Sequence, residues 1–275
     1  MDVVIGLGSA GCKIADEFSK FPQYDVYKID TNVSGENCFS LKQKNSPEEY
    51  ERSVPDLTEF FKDIEGEILF IIGGGGKISG ASLQILKHLR HNTINLLYVK
   101  PYLKSLSKMG ALQYRATYGV LQEYTRSGIF NRMYIVDNVE LEKIVGDVPI
   151  LEYNKKLNEL IVNAFHYINI FNHTDPVLQN TDSPTEIQKI CTIGAYDIKN
   201  NTETAFYELQ NIGNKCVYYA IPEDVLKSDG KLFKVIKEKA AEDQSSYKIY
   251  TTAHKESFAY FVAYSSFIQS VDTAS

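Results

Sequence analysis

Tryptophan is absent from this chain of 275 residues, although it carries 19 tyrosines and 14 phenylalanines. Taken with its many asparagines, lysines and isoleucines, that bias reads as the product of an AT-rich coding sequence. Cysteine is scarce: Cys12, Cys38, Cys191 and Cys216 lie far apart and form no CxxC pair. The scatter fits reduced thiols and works against both a disulfide framework and a zinc site. No apolar run approaches the roughly 20 residues that a membrane-spanning helix needs, so no membrane insertion is expected. The first apolar run opens at Val3, so no secretory leader is expected. A basic excess is also missing. Lys and Arg number 29 against 35 Asp and Glu, a net charge of -6, which excludes the usual electrostatic footprint of a nucleic-acid-binding face. The five histidines show no HExxH spacing, and no Ser/His/Asp constellation stands out. The expected location is therefore the cytoplasm.

What is present is glycine, in two clusters. Gly6-Leu7-Gly8-Ser9-Ala10-Gly11 follows the apolar run Val3-Val4-Ile5, and Gly73-Gly74-Gly75-Gly76-Lys77-Ile78-Ser79-Gly80 follows Ile68-Leu69-Phe70-Ile71-Ile72. Each precedes a helix-like pattern, so the arrangement strand, glycine turn, helix occurs twice. Side-chain-free amides at a helix N-terminus attract anions, and two such turns in one domain point to a polyphosphate held from two sides. Four consecutive glycines are costly in chain entropy, so a ligand or a neighbouring backbone must approach them closely. The second cluster is not a Walker loop, because no Ser or Thr follows Lys77 and the GxxxxGK spacing does not fit.

A hydrophobic fraction of 44% supports one large core or two smaller ones. Residues 1–145 alternate between the two periodicities. Helices are expected over 13–21, 55–64, 82–90 and 111–126, and strands over 25–29, 95–99 and 132–136. That alternation predicts a mostly parallel sheet covered by helices, with ligands at the C-terminal strand ends. A long helix is expected over 152–171, with Leu157, Ile161, Ala164, Ile168 and Phe171 at three- and four-residue steps. Beyond it, strands are expected over 187–193, 215–221, 246–252 and 258–265, and helices over 202–210 and 231–241. The predicted division is a nucleotide-binding domain over 1–150, a central helix over 151–173 and a smaller α/β domain over 174–275.

Gly6-x-Gly8-x-x-Gly11 with Asp30 at the end of the second strand fits the dinucleotide-binding fingerprint, the acid being placed to hold a ribose hydroxyl. Alone, this segment favours a nicotinamide-dependent oxidoreductase. The second glycine cluster, and the lack of a hydride-transfer acid or base in the second half, lower that reading to third place.

Read together, these motifs resemble the tubulin/FtsZ family nearly from end to end. The first phosphate loop is matched by Gly8-Ser9-Ala10-Gly11, and the Asn-Thr-Asp-like turn after the second strand by Asp30-Thr31-Asn32. The family's GGGTGTG or GGGTGSG loop is matched by Gly74 to Gly80, its Lys-Pro by Lys100-Pro101, and its Pro-Asn-Asp-like turn by Val136-Asp137-Asn138. Asn158 falls where the long helix carries a guanine-contacting side chain, and residues 180–186 resemble the loop that supplies carboxylates to the next subunit's nucleotide. The resemblance implies a tubulin-like α/β fold: a Rossmann-like GTP-binding domain, a central helix and a smaller C-terminal α/β domain. It implies GTP or GDP with Mg2+ as ligands, and head-to-tail self-assembly, with other structural proteins as further partners. Gly8, Ser9, Gly11, Gly74, Gly75, Gly76, Ser79 and Gly80 would hold phosphates, Asn32 would lie near the magnesium shell, and Asn158 would read guanine. Asp182 and Glu186 would act on the adjacent subunit's GTP.

Departures from the family pattern carry equal information. Lys77 and Ile78 replace Thr and Gly in the signature loop, and β-branched Ile78 works against close phosphate approach. The ribose-bracketing Glu and Arg are not recognisable in residues 102–108, and Thr185 takes the expected place of the second acid, with Glu186 next. These changes define a second reading, a tubulin-like structural building block with catalysis lost, as in a phage filament or virion.

Overall fold

The computed structural model describes residues 1–180 and 184–271, and the chain divides into two compact units. The first comprises Met1–Val162 together with the described residues 268–271, and the second Asn163–Phe267. In the first, strands β1 (Val3–Leu7), β2 (Asp25–Asp30), β3 (Cys38–Ser40), β4 (Glu67–Gly73), β5 (Thr93–Lys100) and β6 (Arg132–Asp137) pair in the order β3-β2-β1-β4-β5-β6. Every pairing in that series is parallel. The alternation of periodicities had predicted this sheet. The reason is visible in β4, where Ile68, Leu69, Phe70, Ile71 and Ile72 are all fully buried. A strand buried on both faces reads as a continuous apolar run, and each such side chain contributes about 1.5–3 kcal/mol.

Helix α1 (Gly8–Phe18) follows β1 directly and buries Cys12, Ile14, Ala15 and Phe18. A short helix α2 (Pro47–Arg52) begins behind Ser46, whose side chain accepts from the Glu49 amide. After β4 the chain forms a 3-10 turn (Lys77–Ala81) and then α3 (Ser82–Leu86). Helix α4 (Lys108–Arg126) starts at Ser107, which accepts from the Gly110 amide and buries Tyr114, Tyr118 and Leu121. Helix α5 (Asn138–Val145) follows β6, capped by Asp137. Helix α6 (Ile150–Asn172) buries Leu157, Ile161, Ala164, Ile168 and Phe171, which the helical spacing selected, together with Val162, Phe165 and His166.

The second unit holds a mixed sheet of β7 (Leu178–Gln179), β8 (Ile190–Asp197), β9 (Thr202–Ala205), β10 (Asn214–Pro222), β11 (Ser246–Thr252) and β12 (Phe258–Ser265). The order is β8-β12-β10-β11-β7, with β9 paired to β8. Only β10 and β11 run parallel among these described strands. Helices α7 (Glu223–Ser228) and α8 (Leu232–Glu242) lie between β10 and β11 in sequence.

Two expected helices are absent. Residues 55–64 form an irregular segment with turns over 58–63, and residues 202–205 form strand β9. Among the described residues no helix is long and apolar enough to cross a membrane.

Candidate functional site

The two glycine turns leave the C-terminal ends of neighbouring parallel strands, β1 and β4, where Leu7 pairs with Ile72. In the first turn the glycines let strand and helix touch. A Cβ on Gly6 would lie 2.4 Å from the Gly11 carbonyl oxygen, and one on Gly11 would lie 2.6 Å from the Ile71 oxygen of β4. The Cys12 thiol donates to the Gly6 oxygen at 3.3 Å, and burial pushes its pKa up to about 12. That cysteine is a packing residue, since only a thiolate reacts readily. Gly8 adopts φ +71°, which starts α1 without a spacer. Leu7 at the N-cap offers no side-chain acceptor, so the first-turn amides of α1 are left to water or a ligand.

The second turn is held mainly by side chains at Gly74 and Gly75 and by backbone at Gly80. A Cβ on Gly74 would meet the Tyr98 hydroxyl at 2.7 Å and Pro101 Cδ at 2.9 Å. Gly75, at φ +79°, lies under Leu106, and Gly80 lies against the Pro47 backbone, whose oxygen would be 2.4 Å from an added Cβ. Gly76 alone in this run has nothing within 4 Å of an added Cβ, and its φ of -76° suits any residue. The Ser79 hydroxyl points inward. It donates to the Gly76 oxygen at 2.6 Å and accepts from Gln113 Nε2 at 3.1 Å, and Gln113 also donates to Thr117 at 2.7 Å.

The turns meet at two points. Ile78 Cγ2 lies 2.5 Å from where a Cβ on Gly8 would be, and Ala10 Cβ lies 2.9 Å from the corresponding point on Gly73. These two contacts join the turn that carries Gly8 and Gly11 to the turn that carries Gly74, Gly75, Gly76, Ser79 and Gly80. Ser9 is exposed on the first turn of α1. Asn32 is exposed just beyond β2, where the Asp30 carboxylate accepts from the Thr31 amide at 2.7 Å. Asn158 is half-buried on α6, and Glu186 is exposed in the segment before β8, in the second unit. Asp182 lies outside the described residues.

Two features beside the turns escaped the sequence reading: the pairing of Lys100 with Asp137, both named there only as motif residues, and the Gln113–Thr117 pair. Lys100 and Asp137 end adjacent strands and pair at 2.7 Å, both nearly buried, while the second Asp137 oxygen accepts from the Val139 amide. Gln113 and Thr117, four apart on α4, form the polar floor behind Ser79. The visible signal was polar residues recurring at helical spacing on an otherwise buried face. Among the described residues no group of three or more His, Cys, Asp or Glu side chains is placed to hold a metal ion.

No protein-family model matches the sequence, and no curated protein matches it. Solved structures do. TubZ of Bacillus thuringiensis serovar israelensis, a protofilament in its GTPγS form, is 15% identical with a TM-score of 0.72, over 95% of this chain and 86% of that one. An empty FtsZ dimer from M. jannaschii is 14% identical with a TM-score of 0.68, over 96% and 87%. CetZ1 of Haloferax volcanii, a GDP-bound monomer, is 16% identical with a TM-score of 0.67, over 97% and 94%. At these identities the likeness establishes architecture. The chain has the tubulin/FtsZ fold.

Proposed function

We propose that this chain binds a guanine nucleotide at its paired glycine turns and associates head to tail with copies of itself, so that GTP hydrolysis is completed between subunits. The observation that carries the reading is the meeting of the two turns at neighbouring strand ends, Gly8 against Ile78 and Gly73 against Ala10. Two uses of this fold add support: TubZ in a GTPγS-form protofilament and CetZ1 with GDP. In this reading residues 1–150 bind nucleotide, 151–173 form the central helix, and 174–275 form the second domain. Backbone amides at Gly8, Ser9 and Gly11 face the phosphates from one side. Gly75, Gly76 and Gly80 face them from the other side with Gly74, whose own amide donates to the Val99 oxygen at 2.9 Å. Ser79, whose amide and hydroxyl both donate to the Gly76 oxygen, contributes its amide once that bond is released.

Mg2+ fits only as an ion carried mainly by the phosphates, with Asn32 at its edge, because no three-residue ligand group is available among the described residues. The Asn158 amide offers one donor group and one acceptor, which matches the guanine edge. Asp182 and Glu186 of the next copy polarise the attacking water, and stabilisation of charge at the phosphoryl group supplies most of the rate. A head-to-tail contact is heterologous, so it builds an open filament unless the rotation closes a ring.

A second reading has its own observation. The Ile78 side chain lies on Gly8 where phosphate approach is expected, as it would in a building block that has given up nucleotide chemistry. GTP turnover measured against protein concentration with Mg2+ separates the two. The nucleotide reading expects turnover per subunit to rise steeply above a threshold and to collapse in Asp182→Ala or Glu186→Ala. Zero turnover and zero bound nucleotide at every concentration would leave the building block, and binding of NAD in preference to GTP would revive the oxidoreductase.

A further inference from the structure

The second glycine turn is fixed at both ends and loose in the middle. On one side Gly75 is pinned: its added Cβ would lie 2.9 Å from Leu106 Cδ2 and 3.3 Å from the Gly110 oxygen. On the other, Ser79 is 2% exposed and Gly80 is packed on the Pro47 backbone. Between these anchors Gly76 and Lys77 are exposed, Ile78 is half-buried, and Gly76 has open space on its side-chain face. The Gly76 oxygen accepts from both the Ser79 amide, at 3.1 Å, and the Ser79 hydroxyl, at 2.6 Å. Those two bonds hold the three residues in the position that puts the Ile78 methyl on Gly8.

We propose that residues 76–78 form a flap whose closed state places Ile78 over Gly8, so that Ile78 sets the affinity of the site for nucleotide. This rests on the reading that a guanine nucleotide binds at the two turns. A charged phosphate cannot share the space beside Gly8 with a methyl group without losing solvation, and a β-branched side chain has little χ1 freedom with which to step aside. The flap backbone must therefore swing out, with Gly76 as the pivot, breaking the two bonds from Ser79. Apparent affinity is then the intrinsic affinity reduced by the fraction of open flap. Every other glycine of the run is required by the protein's own packing, which leaves 76–78 as the segment free to move.

Association of a fluorescent GTP analogue, with Mg2+, measured on wild type, Ile78→Ala and Ile78→Val, tests the flap. The expected result is at least tenfold tighter binding by Ile78→Ala, mostly through faster association, and a change within about threefold for Ile78→Val. Thermal melting establishes that the variants are folded, and Ile78→Ser replaces the alanine variant if that one is not. Equal affinities in wild type and Ile78→Ala would overturn the flap while leaving the nucleotide site standing. Failure of both folded proteins to bind the analogue at millimolar concentration would overturn the nucleotide reading, and the flap with it.

Discussion

The two glycine turns look alike in sequence and are built differently. In the first, backbone meets backbone: Gly6 faces the Gly11 carbonyl, and Gly11 faces the Ile71 carbonyl of β4. In the second, the contacts of Gly74 and Gly75 are mostly with side chains of Tyr98, Pro101, Tyr114 and Leu106. A turn fixed by backbone cannot yield, because the sheet itself would have to shift. One fixed by side chains, as at Gly74 and Gly75, can repack; Gly80 is held by the Pro47 backbone like the first turn, and Gly76 is not fixed at all. The difference shows why a run of glycines is weak evidence for a ligand until each is asked what it touches.

The contrast can be broken by substitution, most severely in the first turn. Gly11→Ala drives a methyl to 2.6 Å from the Ile71 oxygen, in the middle of the sheet. Overpacking of this kind costs about 3 kcal/mol or more where nothing can move, and denaturant unfolding should show it as a matching fall in midpoint. Gly74→Ala should cost about 1–3 kcal/mol, because its nearest neighbour is the Tyr98 hydroxyl at 2.7 Å. Adding Tyr98→Phe removes that atom, so a double-mutant cycle should return part of the loss. Full additivity there would mean that the turn is as rigid as the first.

Gly76→Ala sharpens the comparison from the other side. With open space and a φ of -76°, the alanine should stabilise the fold by about 0.4–1 kcal/mol through the unfolded chain, read as a raised thermal midpoint. The smallest expected effect lies outside both turns. Burial holds the His166 pKa below its ordinary value of 6.5. The unfolded chain therefore takes up the proton first, and stability should fall as pH drops below 6.5. Melting scans between pH 7 and 5 should show a shallower slope in His166→Gln.

The first unit was readable because fully buried parallel strands announce themselves as apolar runs, and its glycine turns stand directly after two of them. The inward set of α6 was equally plain at helical spacing. Residues 55–64 misled for a physical reason. Leu57, Phe61 and Ile64 are buried at helical spacing, yet the Asp56 carboxylate accepts from the Thr58 amide at 2.9 Å and holds a local turn in place of a continuing helix. At 202–205 the stronger signal was the turn before it. Asp197 accepts from the amides of Lys199 and Asn200, and Asn201 takes φ +54°, so the chain doubles back onto β8. Within the candidate site the glycines were legible, but their partners were not. That Leu106, Tyr98 and Pro47 are what the glycines accommodate depends on packing between elements distant in sequence. The inward turn of Ser79 and the Lys100–Asp137 pair depend on it equally.

Equilibrium dialysis of the wild-type chain with labelled GTP and Mg2+, challenged with GDP, ATP or NAD, bears most directly on the central claim. The account predicts saturable GTP binding that GDP displaces and ATP or NAD does not, weakened in Gly8→Ala, whose methyl would take the space beside Gly8 that the phosphate needs and would strain a φ +71° position. Retained label that NAD displaces, or no retained GTP at any concentration, would contradict it.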